Sequence, residues 1–253
     1  MDPRTPLSPP PSPTAGHKLY GDLARWWPLF SPPSEYVEEA AELLEVLRTA
    51  ADGPARTLLE LGAGGGSLAF HLKPHYQLTL TDLSPQMLAV SRTLNPECEH
   101  LEGDMMRLRL GRTFDRVLVH DAIMYATDRE AARATVATAV AHCRPGGVVV
   151  LMPDCMRDTF QPTTECDGLD APDGRGLRYL MWTYDPNPND ETFETAFALL
   201  MREADGSVSS THDVHREGLF HREDWLGWMR EAGCPARTQR DTWKRDVIIG
   251  VKD

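Results

Sequence analysis

Between Thr57 and Met152 the chain alternates short apolar runs with longer amphipathic ones, a change of period from two to 3.6 that repeats several times. Thr57–Leu61 reads as a buried strand that runs into a glycine loop, and Ser67–Leu72 starts the helix behind it. Gln77–Thr81 reads as a second strand and His100–Glu102 as a weak third. Between them, Ser84–Leu94 is a helix opened by Ser-Pro, with Pro85 at its first position. Phe114–Val119 is a fourth strand, Asp128–His142 an alanine-rich helix stopped by Arg-Pro-Gly-Gly, and Val148–Met152 a fifth strand. Such alternation predicts a parallel sheet with right-handed crossovers and helices on both faces.

On the flanks the pattern differs. Residues 1–16 hold six prolines and almost no large apolar residue, and so read as a disordered tail. Leu19–Trp27 is a short amphipathic stretch. A helix is expected from Ser34, its N-cap, to Ala50, with Val37, Ala40, Ala41, Leu44 and Leu47 as its apolar stripe. Residues 153–177 are rich in Pro, Gly and Asp and read as a long loop. Three strands follow at Leu177–Tyr184, Thr192–Glu203 and Val208–Glu217, the last two joined by an Asp205-Gly206 hairpin turn. A helix at Arg222–Ala232 and strands near Ala236–Arg240 and Asp246–Lys252 end the chain. The expected architecture is α/β: a doubly wound, mostly parallel seven-stranded, Rossmann-like sheet with a small antiparallel β cap. Its parts are a core at 17–152, an inserted cap at 153–218, and a last helix and two strands at 219–253 that complete the sheet.

Composition narrows the function. Lys and Arg number 26 against 38 Asp and Glu, a net charge of −12. Most of such a surface repels a phosphate backbone, which disfavours a nucleic-acid partner. The same balance suits a neutral or cationic small molecule, or serves solubility alone. No apolar run is long enough to span a membrane, and no secretory signal opens the sequence. Five scattered cysteines with no CxxC pair read as free thiols of a reducing, cytoplasmic compartment and argue against a metal site.

The chemistry-bearing motif is Leu58-Leu59-Glu60-Leu61-Gly62-Ala63-Gly64-Gly65-Gly66-Ser67. Glycines after a strand let the backbone turn sharply and approach a ligand. Taken by itself the motif also fits a structural turn or another nucleotide site. Asp82 ends the second strand, where a carboxylate can accept both hydroxyls of an adenosine ribose. An NAD site shares that geometry, but its third glycine would fall at Ser67, and Glu60 adds negative charge where a pyrophosphate would lie. A cofactor with a sulfonium and an ammonium suits an acidic loop better. Glu102-Gly103-Asp104-Met105 closes the third strand, where an aspartate can accept from an adenine amino group and the next N–H can donate to a ring nitrogen. Arg144-Pro145-Gly146-Gly147 reads as a structural stop.

Together, Glu60-Leu61-Gly62-Ala63-Gly64, Asp82–Leu88, Gly103-Asp104-Met105, Phe114-Asp115 and Arg144–Gly147 resemble, in order and spacing, the class I S-adenosyl-L-methionine-dependent methyltransferases. The resemblance covers about residues 55–152. Tyr20-Gly21-Asp22-Leu23-Ala24, the cap strands and Gly218-Leu219-Phe220 resemble the small-molecule members that include sugar-amine N,N-dimethyltransferases. The resemblance implies S-adenosyl-L-methionine as cofactor and a small-molecule methyl acceptor, in a monomer or homodimer. It implies cofactor contacts from Tyr20, Glu60, Gly62, Ala63 and Gly64, from Asp82, Leu83 and Met87, and from Gly103, Asp104, Met105 and His120.

In an open α/β sheet the ligand lies beyond the carboxyl ends of the strands. His120 follows the fourth strand and is expected to face the transferable methyl, with Tyr125 nearby; it can equally be a polar residue that satisfies the strand end. His120 and Tyr20 are the candidate catalytic residues. Tyr125, Arg178, Trp182 and His215 are candidate substrate contacts. The reading is N-methylation of an amine by proximity and orientation. O-methylation with His120 as base, and an inactive cofactor-binding protein, remain open from sequence.

Overall fold

The computed structural model describes residues 17–253; the expected disordered tail at 1–16 lies outside the described residues. Each apolar run in the first half becomes a strand: β1 (Thr57–Leu61), β2 (Gln77–Asp82), β3 (Glu99–Glu102), β4 (Phe114–Val119) and β5 (Cys143–Leu151). A second, antiparallel sheet holds β6 (Thr163–Asp167), β7 (Gly176–Tyr184), β8 (Thr192–Arg202) and β9 (Val208–Gly218) in that order. The chain then returns to the first sheet with β10 (Ala236–Arg240) and β11 (Asp246–Val251). That sheet runs β10-β11-β5-β4-β1-β2-β3 and is parallel except for the two pairings of β11. The helices are α1 (Trp27–Phe30), α2 (Val37–Thr49), α3 (Ala69–Leu72), α4 (Pro85–Leu94), α5 (Arg129–His142) and α6 (Arg222–Glu231). No helix among the described residues is long and apolar enough to cross a membrane.

Strand alternation divides the core between the two faces of the large sheet. Leu59, Leu61, Val117, Val119, Val149 and Leu151 pack against α5 and α6, including Trp225 and Trp228. Leu58, Leu80, Leu118, Val148 and Val150 pack against α2 and α3. A third cluster joins Leu19, Trp26 and Leu29 of the N-terminal segment to Leu177, Phe197, Leu199 and Met201 of the small sheet. The N-terminal segment is thus seated against the inner face of the small sheet. The sheet order reverses between β1 and β4, the place where an open α/β sheet leaves a crevice for a ligand.

Three elements differ from expectation. Helix α2 starts after a 3-10 turn at Pro33–Tyr36, and its buried stripe is Ala40, Leu43, Val46 and Leu47 rather than one led by Val37, which is 55% exposed. The stripe shifts because Glu39 is also drawn inward, onto His120 and Arg245. Strand β6 falls inside the expected loop; all five of its residues are exposed, so it carries no apolar alternation to read. Arg144–Gly147 belongs to β5 as a bulge: Phe114 pairs with Cys143 but Arg116 pairs with Val148.

Candidate functional site

A cavity of about 550 Å³ opens at the carboxyl ends of β1, β2 and β4, between the large sheet and the small one. Its size is in the range of a small-molecule site. One half is made by the turns after β1, β2 and β3. The glycine loop follows a tight path: Gly62 has φ 74°, and a Cβ there would lie 2.2 Å from that of Ala122. At Gly65 a Cβ would lie 2.1 Å from the Trp27 ring, so the loop and α1 are in contact only because that side chain is absent. Gly62, Ala63 and Gly64 line the cavity, as do Asp82 and Leu83 after β2 and Gly103, Asp104 and Met105 after β3. Met87 does not: it is buried in the first turn of α4, with its tip under Gly64, so the structure places it below the loop as packing.

The acidic groups of this half are held in place. Asp82 accepts from the N–H of Gly64 and of Ser84, both at 2.8 Å, one on each oxygen. Burial raises its pKa, and these N–H groups oppose that. Asp104 accepts from the N–H of Met106 at 2.8 Å. Glu60 is different. It is 2% exposed, its Oε2 has no hydrogen-bond partner among the described residues, and burial pushes its carboxyl up to about 7. A buried oxygen of this kind is costly to leave unpaired. A cationic group in the cavity would supply the missing partner, so the residues fit a cofactor that carries an ammonium and a sulfonium and no phosphate.

The other half is built from pieces far apart in sequence. Tyr20 comes from the N-terminal segment, Tyr36 from the turn before α2, and His120, Asp121 and Tyr125 from the turn after β4. Asp154 follows β5, Met181 and Thr183 come from β7, Thr195 and Phe197 from β8, and Glu217 from β9. Four carboxylates, Asp121, Asp154, Glu165 of β6 and Glu217, therefore face this half, while no Lys or Arg of the described residues lines the cavity. Burial, with Asp154 adding to it, pushes Glu217 up to about 7; the Thr195 hydroxyl donates to it at 2.6 Å. Burial and the adjacent Asp121 also raise the pKa of Asp154.

His120 lines the cavity but does not have the near-neutral pKa that a general base requires. Burial works against its charged form, yet Asp121 and Glu39 outweigh that and hold the imidazole at about 9. Its Nε2 lies 2.8 Å from Glu39 and 3.2 Å from Asp121. Glu39 is in turn held to about 2, because His120 and Arg245 outweigh its burial. At neutral pH His120 is a protonated donor locked between carboxylates, which removes the reason for assigning it as base.

The other expected residues separate. Tyr125 lines the cavity. His215 lies behind it, fully buried, with Nδ1 2.7 Å from the Tyr125 hydroxyl. Arg178 and Trp182 do not reach the cavity. Alternation along β7 turns Met181 and Thr183 inward, and so turns Arg178 and Trp182 to the outer face, where Trp182 is 50% exposed and Arg178 pairs with Asp170. Sequence reasoning passed over Trp27, Tyr36, Asp154, Phe197 and Glu217; the strand parity of β8 and β9 was the one signal that could have pointed to the last two.

Residues 58–147 match the model of the methyltransferase domain family. The chain is 29% identical over 203 residues to a dTDP-3-amino-3,4,6-trideoxy-α-D-glucopyranose N,N-dimethyltransferase of Streptomyces venezuelae, covering 79% of this chain and 83% of that one. It is 27% identical over 201 residues to a dTDP-3-amino-3,6-dideoxy-α-D-glucopyranose N,N-dimethyltransferase of Streptomyces fradiae, covering 79% and 77%. Among solved structures, DesVI of Streptomyces venezuelae superposes with a TM-score of 0.79 at 25% identity over 87% of this chain and 92% of that one. An amino pentose methyltransferase of Micromonospora echinaspora, solved with S-adenosylmethionine bound, gives a TM-score of 0.74 at 26% identity, over 85% and 90%.

Proposed function

We propose that this chain, an S-adenosyl-L-methionine-dependent methyltransferase, methylates the nitrogen of an amino sugar. The observation that carries the reading is the charge of the acceptor half: Asp121, Asp154, Glu165 and Glu217 face it, and no Lys or Arg of the described residues lines the cavity. Carboxylates of this kind attract and orient an amine. The names of its relatives support an amine borne on a sugar.

In this reading Asp82 takes the ribose hydroxyls, Asp104 and the Met105 N–H take the adenine, and Glu60 with the glycine loop meets the methionine end. When bound, the cofactor supplies a methyl already activated on a sulfonium, a strong leaving group. The protein's task is then alignment, which by itself can remove several kcal/mol from a bimolecular barrier. Tyr20 and Tyr125 stand at the boundary of the two halves, hydroxyl to hydroxyl at 2.6 Å. The Ser84 hydroxyl donates to the Tyr20 carbonyl at 2.5 Å, so the segment that carries Tyr20 is tied to the turn that carries Asp82. Protonated His120 also lines the cavity, with its Nε2–H given to Glu39. The O-methyl alternative needs a base at that position and is disfavoured by the charge state of His120.

The test uses paired acceptors that differ only by amino against hydroxyl at one ring position. Mass spectrometry is expected to show one or two added methyl groups on the amino member and none on the hydroxyl member. Methylation of the hydroxyl member alone would overturn the reading.

A further inference from the structure

Burial favours the neutral forms of Glu217 and Asp154. An ammonium entering beside them draws them into their ionised forms, and a carboxylate so paired holds the ammonium's proton on, because it favours the charged form of an amine. Only the neutral amine has a lone pair to give. A site that binds its acceptor by charge therefore needs a way to take a proton from it.

We infer that Tyr20, Tyr125, His215 and Asp213 form a proton path that deprotonates the acceptor; the inference rests on the amine reading above. Tyr20 and Tyr125 line the cavity, with hydroxyls 2.6 Å apart. The Tyr125 hydroxyl lies 2.7 Å from His215 Nδ1, and His215 Nε2 lies 3.1 Å from Asp213 Oδ2. Asp213 is a buried carboxylate whose Oδ2 also accepts the Leu19 N–H at 2.9 Å. Both His215 and the Leu19 N–H favour its ionised form against its burial.

These partners fix the direction of every hydrogen bond. An ionised carboxylate only accepts, so the His215 proton sits on Nε2 and Nδ1 keeps its lone pair. Tyr125 then donates to His215, and Tyr20 donates to Tyr125. The Tyr20 oxygen is left as an acceptor at the cavity. An acceptor ammonium can place an N–H on that oxygen. One proton then moves at each link: nitrogen to Tyr20 oxygen, Tyr20 hydroxyl to Tyr125 oxygen, Tyr125 hydroxyl to His215 Nδ1. The sum is a neutral amine in the cavity and an imidazolium against Asp213, with no change in electrons and no tyrosinate left behind. The proton returns by the same path to water once the product has left the cavity.

The groups packed around His215 come from four elements. Glu217 and Asp213 lie on the same strand, Tyr125 and Tyr20 are in ring contact with it, and from β8 Phe197 and Thr195 face it. The remaining titratable neighbour, His17, stacks on it at 4.1 Å with rings 10° from parallel. Burial and His215 itself hold His17 down to about 4, so it stays neutral and does not compete for the proton. His215 and Asp213 do not touch the acceptor and act through the tyrosines as positioning residues.

The experiment measures kcat with an amino-sugar acceptor from about pH 6 to about pH 10, a span that covers the ionisation of an aliphatic amine. Tyr125→Phe cuts the path without altering either end. It is expected to lower kcat by about 10²-fold near neutrality, the low end of general-base effects. The deficit should shrink as pH rises, because the amine then arrives already neutral. His215→Phe should behave alike, and the double variant should be no worse than either single one. If Tyr125→Phe does not fold, Tyr20→Phe with His215→Phe makes the same comparison. A deficit that does not vary with pH, or losses that add, would overturn the path. So would a pH-rescued deficit in Glu217→Gln and none in Tyr125→Phe, which would put the proton on Glu217. If wild type methylates hydroxyl acceptors and no amine, the functional reading falls and the path with it; amine turnover with a pH-independent Tyr125→Phe defect removes the path alone.

Discussion

The two halves of the cavity are built by different rules. The half formed by the turns after β1, β2 and β3 comes from one stretch of chain between Glu60 and Met106, and much of it is backbone: a glycine loop and N–H groups that hold Asp82 and Asp104. The acceptor half is drawn from the N-terminal segment, the turn after β4, the turn after β5 and all four strands of the small sheet, and consists of side chains. Backbone geometry ties the first half to one ligand shape. Side chains on sheet positions can change one at a time without disturbing the strand, so the second half is where substrate choice can vary. Tyr20 joins the two, through Ser84 on one side and Tyr125 on the other.

The largest expected effect lies in the first half. Asp82→Ala should weaken S-adenosylhomocysteine binding by about 2–3 kcal/mol, the worth of hydrogen bonds to a charged acceptor, or about 30- to 150-fold. Calorimetry checks this, and an unchanged dissociation constant would take Asp82 out of the site. In the second half, Glu217→Gln should raise the acceptor KM by about tenfold, one charge-assisted hydrogen bond, and leave cofactor affinity unchanged. A matching loss of cofactor affinity would mean that the two halves are not separable.

His120→Ala should cost tenfold or less in kcat, an orientation effect of about 1.4 kcal/mol. A thousandfold loss would restore His120 as a base. The same residue predicts a stability profile. Its pKa is raised from 6.5 to about 9 on folding, so its contribution is fully present below about 6.5 and is lost as pH rises through about 9. Thermal unfolding should show a falling Tm across that window, and Glu39→Gln should flatten the fall. The smallest effect belongs to the outer face of the small sheet: Arg178→Ala and Trp182→Ala should leave kcat and KM unchanged.

The same contrast governs what the sequence reveals. The bounds of β1 and β4 are legible to the residue, because short apolar runs ended by turn residues leave little choice. The glycine loop, Asp82 and Asp104 were legible because their spacing along the chain is also their spacing in space. The acceptor half was not. Strand β7 has large apolar residues on both faces, Leu177 and Met181 inward and Leu180 and Trp182 outward, so alternation did not tell which face meets the cavity. Asp154 and Glu217 look like solvated charges in sequence, and only folding brings them beside Asp121. The charge of His120 depends on Glu39, which lies 81 residues away in sequence.

The most direct test of the account is the identity of the atom that receives the methyl group. With an amino-sugar acceptor labelled with nitrogen-15, the account predicts a product whose new methyl protons show coupling to that nitrogen. A new methyl group without that coupling, bonded to a ring oxygen, would contradict it.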